Sequence, residues 1–137
     1  MREIKFRGKR IDNGEWAVGC LISYSEKESV IVVNVATGEV HWVFSETVGQ
    51  YTGLKDKNKK EICEGDIVDN GHTVIYTSSA HQFHYIGIVK FDVKQGCLVI
   101  HNTDGNTKRL TAKTVQTNKI KVLGNIYDNP ELLEVQE

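Results

Sequence analysis

The sequence predicts a mainly β protein: an N-terminal sheet built on a hairpin, followed by a small SH3-like barrel. Two observations carry that expectation. Apolar and polar residues alternate with a period of two over short runs, and the runs are separated by Gly, Asn and Asp turn residues. The 137 residues suffice for one domain or two small cores, and 39% hydrophobic with 26% charged content is ordinary for a globular chain.

Residues 2 to 10 place Ile4 and Phe6 on one face and Glu3, Lys5, Arg7 and Lys9 on the other, as in a half-buried strand. Asn13-Gly14 accepts positive φ at both positions and predicts a type I′ hairpin into a strand with Trp16, Val18, Cys20 and Ile22 on a single face. Val30 to Val35 is a β-branched run that reads as a buried strand. Thr37-Gly38 then turns the chain into a strand carrying Val40, Trp42 and Phe44. These elements form an N-terminal region over 1–48. Segment 49–65 has no sustained apolar face of either period and reads as a structured connecting loop.

Short strands resume in 66–137, at Ile67 to Asp69, Thr73 to Ser78, Tyr85 to Val93, Cys97 to Asn102 and Ile120 to Tyr127. Their number and spacing suggest the small barrel. Thr111 to Asn118 is read as a helical turn or loop. Asn129-Pro130 places Pro at a first helical position, predicting a short helix from Pro130 to Val135.

Three segments occur in the same order as in a known family. They are Arg2-Glu3-Ile4-Lys5-Phe6-Arg7, then Gly49-Gln50-Tyr51-Thr52-Gly53-Leu54-Lys55-Asp56 continuing to Glu64-Gly65-Asp66-Ile67-Val68, and Gly124-Asn125-Ile126-Tyr127-Asp128-Asn129-Pro130-Glu131-Leu132. On these segments the chain resembles the YopX family. That resemblance implies a phage or prophage origin, a mainly β architecture with a barrel-like part and self-association. It supplies no catalytic residues. Gln50, Tyr51, Thr52 and Lys55 offer an amide, a phenol, a hydroxyl and an ammonium; the segment reads first as a loop that locks the two β regions together, with a candidate interaction loop at these residues as the sharper alternative.

Several chemistries are weighed against blander readings. His72, His81 and His84 are the metal-like group, yet His81 and His84 are three apart and would point to opposite faces of a strand, so no metal site is expected. Cys20, Cys63 and Cys97 are odd in number, widely spaced and without a C-x-x-C pair, which reads as reduced thiols. Glu61, Glu64, Asp66 and Asp69 lack the order of a calcium loop. Neither phosphate-binding glycine motif occurs, so no cofactor is expected. The net charge of −1 gives no global basic field. The local candidates are Lys5, Arg7 and Lys9 on the first strand and Lys108 with Arg109. No apolar run spans a bilayer, and the charged N-terminus reads as a cytoplasmic start, the resemblance implying a bacterial host.

The resulting expectation is a non-enzymatic phage or prophage accessory protein that self-associates and binds a host or phage protein. The alternatives are a nucleic-acid-binding β protein and an unrecognised enzyme using the Cys and His residues.

Overall fold

The computed structural model describes residues 2–76 and 79–134, with the side chains of 72–76, 81 and 82 outside that description. The chain divides into two compact units, 1–53 and 54–137. Both are antiparallel β.

In the first unit β1 (Phe6–Lys9), β2 (Trp16–Tyr24), β3 (Glu28–Asn34), β4 (Glu39–Phe44) and β5 (Gly49–Lys55) are ordered β4-β3-β2-β1-β5. Strand β2 pairs with β1 along its first half, Arg7 opposite Val18, and with β3 along its second, Cys20 opposite Val32. Gly19 sits at that switch, where a Cβ would lie 1.9 Å from the Val32 carbonyl oxygen. The sheet curls until Arg10, just past β1, bridges Val43 on β4 and the Ile11 N–H donates to the Trp42 carbonyl at 3.0 Å.

The β1–β2 connection differs from the predicted two-residue turn. It is a four-residue loop, Ile11 to Gly14, closed by Arg10 N–H to Glu15 O and Gly14 N–H to Arg10 O. Gly14 has φ +72°, whereas Asn13 stays out of the left-handed region and its Oδ1 accepts the Glu15 N–H. The Asn side chain thus ties its own backbone, and one left-handed residue suffices.

Inside the curl lie Ala17, Ile31 and Val43, with Phe6, Leu21, Val33 and Val48 packed against them. Gly8 has no room for more, since a Cβ there would meet Val43 Cγ2 at 2.8 Å. Ser29 and Ser45 bury their hydroxyls by sharing a 2.7 Å hydrogen bond.

The segment 49–65, expected as a loop, instead holds β5 and β6 (Glu61–Cys63), with the unit boundary inside β5 at Gly53. Gly53 is left-handed at φ +86°. Glycines that mimic a loop in sequence here permit a bent strand.

The second unit centres on β7 (Asp66–Asp69), β10 (Ile86–Asp92), β11 (Cys97–Asn102), β12 (Thr107–Arg109) and β13 (Lys121–Asn125), ordered β12-β11-β10-β7-β13. Among the described residues this five-stranded sheet has β12 and β13 as its edges, so the part expected as a small SH3-like barrel is β but not a closed barrel. Between those strands runs helix α1 (Ala112–Asn118), capped by Thr111 and Thr114, each side chain bonding the other's backbone N–H. Val115 from α1 joins Ile62, Val68, Val89, Ile100, Leu110, Ile120 and Val122 in one core. Strand β7 is buried on both faces, Ile67 and Val68 alike.

Among the described residues, strands β8 (His72–Tyr76) and β9 (Ser79–Phe83) pair only with each other, His72 opposite Phe83. His81 thus lies on a strand. The C-terminal helix is a single 3-10 turn, Pro130–Leu133; its expected end at Val135 lies outside the described residues.

Candidate functional site

The most unusual surface is the outer face of β2, β3 and β4. With Ala17, Leu21, Ile31 and Val43 turned inward, the alternate residues must point out. In register across the three strands, Cys20 faces Val32 and Val32 faces Val40; one rung along, Ser23 faces Val30 and Val30 faces Trp42. Val18, Ile22, Val40, Trp42 and Phe44 are 48%, 61%, 43%, 57% and 41% exposed. Those fractions amount to on the order of 500 Å² of largely apolar surface, a size at which patches are commonly functional. Val30 sits in the middle, yet is buried between Trp42 and the β2 bulge at Leu21 to Ser23. A recess of about 360 Å³ lined by Glu26, Lys27, Glu28, Phe44 and Glu46 adjoins the patch at Phe44.

These exposed residues are the ones sequence alternation grouped on single faces. Alternation alone does not say which face is inside. The signal was present in β3, where Val30, Ile31, Val32 and Val33 are apolar at both parities, as in strands that are covered on two sides.

The β1 basic residues lie beside this face, each over a ring. Lys5 Nζ stands 5.1 Å from the Tyr51 centroid, Arg7 Cζ 4.8 Å and Lys9 Nζ 5.3 Å from that of Trp16. Such cation–π contacts fix the side chains on the sheet. Lys108 likewise stands 4.7 Å over Tyr85, while Arg109, its neighbour on β12, points to the opposite face. The fold therefore aligns Lys5, Arg7 and Lys9 on one face and separates Lys108 from Arg109.

The expected interaction loop is not a displayed surface. Gln50, Tyr51, Thr52 and Lys55 all belong to β5; Tyr51 and Thr52 are buried, Gln50 is half-buried, and only Lys55 is exposed. Tyr51 donates its N–H to the Lys5 carbonyl at 2.9 Å, extending the β1–β5 ladder.

Of the histidines, His84 is exposed and its Nδ1 pairs with Asp69 Oδ2 at 2.5 Å. The side chains of His72 and His81 lie outside the described residues. Among the described residues no group of three His, Cys, Asp or Glu side chains could hold a metal. Cys20 is exposed on the apolar face, and Cys63 and Cys97 are half-buried. No helix among the described residues is long and apolar enough to cross a membrane.

Asp56 ties its own loop to a distant strand. Its Oδ1 accepts the N–H groups of Asn58 (2.8 Å) and Lys60 (2.9 Å), and its Oδ2 accepts Val122 N–H at 2.9 Å, 66 residues away. Burial alone would raise its carboxyl pKa; the donors from Val122, Lys60 and Asn58, with the Lys60 charge, outweigh burial and hold it below 3.8. Nearby, Asp66 accepts the Cys63 N–H at 2.7 Å, and Gly65 links two strands, donating to Val89 O and accepting from Ile126 N–H. Asn125 closes the last turn, its Oδ1 accepting from Tyr127 and Asp128.

The family model for YopX protein matches residues 5–134. The chain belongs to the YopX family. The contacts just described join the second and third of the segments on which the resemblance rests: Asp56 reaches β13, and Gly65 to Ile67 lie against the Gly124 to Ile126 stretch, with Asp66 opposite Asn125. A solved structure, that of protein EF1440 from Enterococcus faecalis, is similar at 22% identity and a TM-score of 0.56 over 98% of this chain and 100% of that one. At that identity the likeness concerns the fold alone. A search of curated proteins found no match.

Proposed function

We propose that this YopX protein is a non-enzymatic phage or prophage accessory protein of the bacterial cytoplasm that self-associates, and engages a host or phage protein, through the outer face of β2, β3 and β4. The observation that supports it is the exposed row of Val18, Ile22, Val40, Trp42 and Phe44. Trp and Phe are among the residues that anchor interfaces, and here Trp42 lies between Val40 and Phe44 along β4. Two such faces packed together would bury on the order of 1,000 Å², the lower bound for a specific interface.

Light scattering at tens of micromolar tests this reading. A dimer or larger species is expected for the wild type, and Trp42→Glu, which puts a charge in the exposed apolar row, is expected to give a monomer. A monomeric wild type would sink self-association.

A second reading, nucleic-acid binding, is favoured by the aligned Lys5, Arg7 and Lys9 beside Trp16 and Tyr51. It predicts affinity for DNA or RNA that falls steeply with salt. The rings are covered by the cations, which leaves little open stacking surface, so this reading ranks below the first.

A further inference from the structure

We propose that the second unit encloses a hydration site between Asn70 and Asn102, where ordered water bonds the two carboxamides across Gly87. Both side chains are almost wholly buried, at 1% and 2% exposure. Their four polar atoms, Oδ1 and Nδ2 of each, have no hydrogen-bond partner among the described residues. Buried carboxamides left in that state are strongly disfavoured, and the usual resolution in proteins is a bound water.

The register brings them to one place. Val68, Gly87 and Asn102 form one rung across β7, β10 and β11, and Asn70 is two residues past Val68, its N–H donating to the Tyr85 carbonyl. Period-two alternation puts Asn70, Gly87 and Asn102 on the same face. Gly87 is the low point between them. A Cβ there would meet Ile100 Cγ2 at 2.5 Å and Asn102 Oδ1 at 2.7 Å, so the Asn102 carboxamide leans over the glycine, toward the Asn70 side.

A roof closes the spot. Lys108 stands opposite Ile100, one rung to one side of Asn102, and its ammonium reaches the ring of Tyr85, one rung to the other. Its aliphatic stem therefore spans the Asn102 rung. With that cover the occupant has to be small, and two carboxamides offering both donors and acceptors match water, which has two of each.

A crystal structure of the wild-type protein at a resolution that shows ordered solvent is the direct test. Density for water within hydrogen-bond distance of both carboxamides is expected. Carboxamides bonded to one another or to protein groups, or a dry gap between them, would overturn the proposal. Thermal unfolding of Asn70→Leu and Asn102→Leu gives an independent readout. Each is expected to lower Tm by about 3–8 °C, because the remaining carboxamide loses its water-mediated partner. An unchanged or raised Tm in either variant would mean that the native group was a dry orphan, and would equally overturn it. Because the measurement on the wild type needs no variant to fold, the proposal stays falsifiable if a leucine variant does not.

Discussion

Replacing Asp56 by alanine removes three backbone acceptors at once, two within its own loop and one on β13. The loop amides of Asn58 and Lys60 lie on exposed residues and can turn to water. The Val122 N–H cannot, because that residue is 7% exposed and part of the core. A hydrogen bond to a charged group is worth about 1.5–3 kcal/mol, and leaving a buried donor unmet costs about 1–3 kcal/mol. One full loss at Val122 with two partial losses in the loop gives about 2–4 kcal/mol for Asp56→Ala. For a chain of this size that corresponds to a fall in Tm of roughly 6–16 °C. Urea and thermal unfolding measure it. A change under about 0.5 kcal/mol, the range of ordinary surface substitutions, would refute the reasoning.

The sign of the pH dependence follows from the same geometry. Since the folded carboxyl titrates below 3.8, its contribution is complete above that value and is lost as pH falls through the lowered folded pKa. Asp56→Asn lacks this titration. Its stability deficit relative to wild type should therefore be constant at neutral pH and shrink only below about pH 4. A deficit that kept its size at pH 2 would show that the charge is irrelevant.

Three further outcomes are expected. Gly124→Ala should destabilise by about 1–3 kcal/mol, because its Cβ would sit 2.3 Å from Asn129 Oδ1 in the turn that Asn125 closes, and chemical denaturation reads this directly. Gly8→Ala pushes a methyl to 2.8 Å from Val43 Cγ2 inside the first unit and should cost a similar amount; a neutral result would mean that the curl of the sheet is looser than described. Thr111→Ala removes the acceptor for the Thr114 N–H at the start of α1 and should cost about 0.5–2 kcal/mol, with Thr111→Ser restoring most of it.

Much of the strand pattern was legible in residue order, because alternation and turn residues act over a few neighbours. The runs at Ile67, Tyr85 and Cys97 correspond to β7, β10 and β11, and the helical turn after Thr111 is α1. What failed was whatever depends on distant partners. Gly49, Gly53 and the charged tract after Lys55 disguise β5 and β6, which are strands only because neighbouring strands supply their hydrogen bonds. Strand count suggested a small barrel, but closing one requires β12 to meet β13, and α1 runs between them in sequence. Val18, Cys20 and Ile22 marked a face without marking its side; the inward choice fell to Ala17 and Leu21, the smaller set, because the curl leaves little room at Gly8. Nothing near Asp56 hints at Val122. Asn70 and Asn102 each read as turn residues, and only their register makes them a pair.

The link from Asp56 to Val122 also bears on when the protein can fold during synthesis. Strand β7 lies one strand in from the edge of its sheet and needs β13, which ends at Asn125, as its outer neighbour. A ribosome that has released residues 1–53 has delivered every strand of the first unit's ladder up to the bend in β5, so that unit can collapse early. The second unit has to wait. Until β13 emerges, Ile67 and Val68 lack their outer strand and the Asp56 carboxylate lacks its distant donor. For that interval a doubly apolar strand edge is open to other chains, which makes the nascent protein most prone to aggregation shortly before its last strand is made.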